Sequence, residues 1–117
     1  MNILIIDRFD VYRFGLKSLF QDKWNSSVTY EAGNFEEMLE LVYGTDFELI
    51  ILDIEIAPYP FIKEFIAQAT NYTKVIVLLE SKEADHKIKD LSMADGVIYK
   101  SGSKEDVLNT IEFLLAT

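Results

Sequence analysis

Leu49-Ile50-Ile51-Leu52-Asp53 is the stretch that decides the fold. Four branched apolar residues follow one another with no polar residue between them. A strand with one wet face alternates, whereas a strand covered on both faces reads as a continuous apolar run. The run is short, and it ends on a carboxylate. Working outward, the same kind of burst recurs as Ile3-Leu4-Ile5-Ile6, Val28-Thr29-Tyr30, Val75-Ile76-Val77-Leu78-Leu79 and Val97-Ile98-Tyr99. Five such bursts predict the five strands of a parallel sheet.

Segments of helical period lie between them. The first spans Asp10 to Asp22, with Val11, Gly15, Ser18 and Leu19 expected on its core stripe. Asn34, followed three residues later by Glu37, opens the second in the manner of a capping box. The third runs from about Pro58 to Thr70, with proline at its first turn. The fourth covers about Lys82 to Leu91 and is the most polar. The fifth begins at Ser103, with Asp106 three residues on, and continues through Val107, Leu108, Ile111, Leu114 and Leu115. The alternation is (βα)5. Right-handed crossovers then give a three-layer, doubly wound α/β fold with helices on both faces of the sheet. The 117 residues suit one domain spanning 1–117.

Composition removes several function classes. Twenty acids against eleven bases give a net charge of −9, unsuited to neutralising nucleic-acid phosphates. No cysteine is present, so disulfides, thiol catalysis and zinc-thiolate sites are excluded. This fits a reducing, cytoplasmic setting. The longest strongly apolar run, Val75–Leu79, is far short of a membrane span, and Asp7-Arg8 interrupts the first run too early for a signal peptide. The single histidine, His86, makes a histidine-based triad improbable; beside Asp85 in a polar helix, it reads as a solvated side chain.

In open α/β sheets the functional edge lies beyond the carboxyl ends of the strands. Asp7 follows the first strand, Asp53 ends the third and Lys100 follows the fifth. Two carboxylates and one ammonium are therefore expected at one edge. The plainer alternative is that the aspartates only cap the turns that follow them. A phosphate cradle needs glycine and free backbone N–H groups after a strand, and Asp7-Arg8-Phe9-Asp10 does not supply it.

The order and spacing of Asp7, Asp53 and Lys100 resemble the receiver domain of bacterial two-component response regulators. Leu4-Ile5-Ile6-Asp7 followed by Val11-Tyr12-Arg13-Phe14-Gly15-Leu16 resembles the opening of LuxR/NarL-type receivers. Ala94-Asp95-Gly96-Val97-Ile98-Tyr99-Lys100 is similar to their A-D-G-Y-x-x-K run. The resemblance covers the whole chain. It implies a flavodoxin-like sheet in the order 2-1-3-4-5 that brings Asp53 within about 10 Å of Lys100. It also implies Asp53 as phosphoacceptor, Lys100 as its phosphoryl-pairing partner, and Asp7 as one of two acids that hold Mg²⁺ with the backbone carbonyl of Glu55.

The sequence departs from that pattern at Arg8, where the second acid is usual. It also departs at Leu79, where a Ser or Thr is usual, and at Val97, where an aromatic switch residue is usual. A standard site carries three carboxylates and one lysine, a net of about −2 that a divalent cation offsets. Here Asp7 and Asp53 face Arg8 and Lys100 and sum to zero. If Arg8 folds inward, its guanidinium replaces the metal and pairs bidentately with Asp53; if it points to solvent, the site is merely weakened. No cofactor is expected, or Mg²⁺ if the site is functional.

The leading expectation is a non-enzymatic receiver domain of phosphorelay signalling. Its phosphorylation site is degenerate, and it controls transcription through homodimerisation and a DNA-binding domain outside this chain. The alternative is an ordinary, weakly phosphorylated receiver served by a histidine kinase. More remote is a flavodoxin-like flavin- or nucleotide-binding protein. The dimer surface is expected on the first and fifth helices, marked by Phe14 and Phe113, which fall off the apolar stripes and are expected to form a contiguous patch.

Overall fold

The computed structural model describes residues 1–81 and 93–116. Its element order is β1 (Asn2–Ile6), α1 (Asp10–Lys23), β2 (Val28–Ala32), α2 (Phe35–Gly44), β3 (Leu49–Asp53), α3 (Tyr59–Ala69), β4 (Lys74–Leu79), β5 (Gly96–Tyr99) and α4 (Lys104–Leu115). The polar helix expected over 82–91, with Asp85 and His86, lies outside the described residues. All strand pairings are parallel and the order is β2-β1-β3-β4-β5, as expected.

Alternation of side chains along each strand divides the core into two layers. Ile3, Ile5, Leu49, Ile51, Ile76 and Leu78 pack beneath α1 and α4. Leu4, Ile6, Ile50, Leu52, Val75 and Val77 pack beneath α2 and α3. Every residue of β3 is buried, because the strand sits at the centre of the sheet with helices on both faces. This is the physical reason its sequence shows no alternation.

Capping follows the sequence closely. Asn34 Oδ1 accepts from the Glu37 N–H at 2.9 Å, and Glu37 reaches back to the Gly33 N–H at 2.8 Å. Ser103 and Asp106 form a reciprocal capping box on α4. Pro58 is the N-cap of α3, and Pro60 sits in its first turn, where no intrahelical donor is needed.

The core stripe of α1 is corrected. Leu16 and Phe20 are its buried residues, flanked by Tyr12 and Leu19. Val11 is 80% exposed, and Gly15 is exposed as well. Leu16 and Phe20 bury far more apolar area than a face bearing glycine and serine, so the helix turns its bulkier side inward.

Candidate functional site at the carboxyl edge of the sheet

β1 and β3 are neighbours, so Asp7 and Asp53 emerge side by side at their carboxyl ends. Both are buried, at 0% and 2% exposure. Each carboxylate caps its own loop through Oδ1: Asp7 accepts from the Phe9 N–H at 2.7 Å, and Asp53 accepts from the Glu55 N–H at 3.0 Å. The turn-capping role is therefore present, and it occupies only one oxygen of each group. The second oxygens face cations. Lys100 Nζ stands 2.6 Å from Asp7 Oδ2 and 3.9 Å from Asp53 Oδ2. The Lys100–Asp7 contact is an ion pair rather than an aligned hydrogen bond.

Arg8 folds inward. Its Nε donates to Asp53 Oδ2 at 2.9 Å, and its backbone N–H reaches the same oxygen at 3.3 Å. Nη2 lies 3.6 Å from Glu80 Oε1, just beyond β4. The hydrogen bond to Asp53 raises the guanidinium pKa above its ordinary value against the opposing effect of desolvation, so Arg8 stays charged. The pairing is not the bidentate one expected: Arg8 meets Asp53 through Oδ2 only, because Oδ1 is held by the Glu55 N–H.

Three contributors were not legible as site residues. Phe9 lies beneath both cations, its ring centroid 5.0 Å from the Arg8 guanidinium carbon and 5.1 Å from Lys100 Nζ. Tyr12 lies 5.3 Å from Lys100 Nζ; burial, with help from the Asp7 charge, pushes its phenol up to about 12. Arg13 Nη1 donates to the Asp7 carbonyl at 2.6 Å while its Nε binds Glu31 at 3.1 Å, bracing the loop from below. Gly33 gives that guanidinium room, since a Cβ there would sit 2.9 Å from Nη1. The usable signal was helical spacing: Phe9, Tyr12 and Arg13 fall within about one turn of one another at the start of α1.

Leu79 is buried beneath the edge and Val97 is half-buried against the α2–α3 layer; neither offers a hydroxyl or an aromatic ring to the pocket. Phe14 and Phe113 are 71% and 72% exposed. They do not form the single patch expected. Phe14 borders a hollow with Glu31 of β2, and Phe113 borders one with Gly96 and Val97 of β5. β2 and β5 are opposite edges of the sheet, so the two rings flank the α1–α4 layer from its two sides.

The residues present do not suit a resident Mg²⁺. Such an ion needs several oxygen ligands in octahedral array. Here both oxygens of each aspartate are committed to N–H groups or cations, with the Arg8 guanidinium lying on Asp53. Among the described residues no group of three His, Cys, Asp or Glu side chains could hold a metal ion. Among those residues, too, no helix is long and apolar enough to cross a membrane.

The fold is the flavodoxin-like fold of response-regulator receiver domains. A signal receiver domain of a DNA-binding response regulator from Colwellia psychrerythraea superposes with a TM-score of 0.85 at 18% identity, covering 100% of this chain and 99% of that one. A two-component signal receiver domain from Clostridium thermocellum gives 0.81 at 22% identity, covering 99% and 98%. The response regulator TrrA from Thermotoga maritima, in complex with Mg²⁺ and BeF, gives 0.78 at 23% identity, covering 97% of each chain. The sequence matches no protein-family model and no curated protein.

Proposed function

We propose that this chain is a receiver-type module of two-component signalling whose acceptor pocket is charge-balanced from within and works without Mg²⁺. The observation that carries the reading is the Arg8 Nε–Asp53 Oδ2 contact of 2.9 Å. A guanidinium fixed on the acceptor oxygen supplies the positive charge that a divalent cation would otherwise bring. Asp7, Asp53, Arg8 and Lys100 then sum to zero, and Glu55 contributes its N–H to Asp53 rather than a carbonyl to a metal. Signalling in this reading passes through protein contacts. The chain self-associates through its α1–α4 layer, with Phe14 and Phe113 as exposed anchors on the two flanks. A DNA-binding domain outside this chain carries the transcriptional output. The setting is cytoplasmic.

A second reading keeps Asp53 as a weak phosphoacceptor for a histidine kinase. Its support is Lys100, held 3.9 Å from the Asp53 oxygen, where a phosphoryl group would need a cation. The Thermotoga maritima neighbour is in complex with Mg²⁺ and BeF, and this reading gives the present chain the same class of ligand. A flavin- or nucleotide-binding role has less support, because the Arg8 and Phe9 N–H groups are bound to carboxylates rather than free to cradle phosphate.

Intact-mass measurement after incubation with acetyl phosphate separates the two. The first reading expects no added phosphoryl mass with or without Mg²⁺, and a Mg²⁺-dependent gain in Arg8→Asp that Asp53→Asn abolishes. Stoichiometric, Mg²⁺-dependent labelling of the wild-type chain on Asp53 would overturn it in favour of the second.

A further inference from the structure

α1 and α4 lie on the same face of the sheet but do not close on each other along their whole length. At one end Lys23 and Glu112 join them in an ion pair. Toward the carboxyl edge they part, leaving a groove of about 530 Å³. Its α1 wall is Val11, Gly15 and Leu19, successive residues of one stripe, and α4 contributes Val107. Val11 and Gly15 belong to the stripe whose composition suggested a core face, and both are exposed, while Leu19 at the inner end of the groove is half-buried against the core. A Cβ at Gly15 would meet nothing within 4 Å, so the missing side chain enlarges the groove rather than relieving a clash.

The groove has a polarity. Its walls are apolar, while its end near the sheet edge carries Lys100 and Lys104. Lys100 is committed to Asp7, at 2.6 Å. Lys104 is exposed and, among the described residues, has no carboxylate within ion-pair distance. An unpaired ammonium at the mouth of an apolar trough is unexpected in a chain of net charge −9, where acids are plentiful.

We propose that the α1–α4 groove binds a small amphipathic carboxylic acid, its aliphatic or aromatic body along Val11, Gly15, Leu19 and Val107 and its carboxylate on Lys104. The volume falls within the range of small-molecule sites, and apolar walls with one placed charge are the usual make-up of such sites. Lys100 forms part of the wall and holds Asp7, so an occupant lies against the acceptor pocket. The groove is distinct from the hollow beside Phe14, with which it shares only Val11.

Decanoate titrated into the ¹⁵N-labelled chain, followed in the amide NMR spectrum, tests the site. Saturable shifts are expected at Gly15 and Gly102, with Gly33 and Gly44 unmoved. Gly15→Leu fills the groove and favours helix, so its thermal transition should hold or rise while decanoate binding is lost. Lys104→Gln should weaken decanoate about two- to fivefold, the range of an exposed ion pair, and leave decanol binding unchanged. Any of three results overturns the proposal. Shifts could be unsaturable or scattered over the molecule. Gly15→Leu could bind decanoate as the wild type does. Sedimentation could show a wild-type dimer that Gly15→Leu converts to monomer, which makes the occupant a second copy of the chain.

Discussion

Asp7 and Asp53 are buried to a similar degree, yet their cationic partners differ in exposure, and stability should record that difference. Lys100 is 10% exposed and is the cation on fully buried Asp7. Lys100→Met leaves that carboxylate unpaired and should cost about 3–5 kcal/mol, the penalty for breaking a buried pair from one side. Arg8 is 38% exposed, so water screens its contact with Asp53. Arg8→Ala should cost less, about 1–2 kcal/mol, since Lys100 remains within 3.9 Å of the same oxygen. Urea unfolding of the two variants side by side checks the ranking. Tyr12 offers a pH test. Its folded pKa near 12 lies above the ordinary 10, so between those values the folded state holds a proton that the unfolded state has lost. The stability this represents is complete below pH 10 and is lost as pH rises through 12. Ultraviolet titration should show a late phenol ionisation near pH 12, and Tyr12→Phe should remove both that step and its share of the alkaline loss.

At the scale of the element, α1 shows where sequence reading succeeds and where it slips. Its existence and span were legible from period and from the bursts on either side. Its inward face was not. Val11, Gly15, Ser18 and Leu19 fit one stripe, Tyr12, Leu16, Leu19 and Phe20 fit another, and periodicity alone does not rank two overlapping stripes. Volume does: the sheet beneath needs filling, and Leu16 with Phe20 fills it. Phe20→Ala should therefore cost about 3–5 kcal/mol, whereas Val11→Ala should stay within about 0.5 kcal/mol. Equal destabilisation of the two in a thermal or urea melt would contradict the assigned face. β3 was read correctly for the opposite reason. Its position between β1 and β4 covers both faces, and no second face competes for the pattern.

Across the whole molecule, the (βα) alternation fixed where the strands end, and the strand ends brought Asp7, Asp53 and Lys100 together as expected. The direction of Arg8 was not legible, because a residue just past a strand can turn to solvent or back over the edge. Here three things turn it back: the Asp53 oxygen, Glu80 beyond β4 and the Phe9 ring. The joining of Phe14 and Phe113 into one patch failed for a topological reason, since each ring's helical angle was read without its sheet edge. The self-association proposed for the α1–α4 layer should strengthen as salt screens the charge of −9. Sedimentation should then show Phe14→Glu and Phe113→Glu each weakening it; a wild-type chain that stays monomeric at high micromolar concentration in moderate salt would exclude such a surface. The internal charge balance of the pocket is tested most directly by titrating Mg²⁺ into the wild-type chain and into Arg8→Asp, following the Lys100 and Asp53 amide resonances. The wild-type spectrum should stay unchanged through millimolar Mg²⁺ and the variant should saturate, its new carboxylate completing an oxygen site. Saturation of the wild type at low concentration would mean that Arg8 does not take the place of the metal.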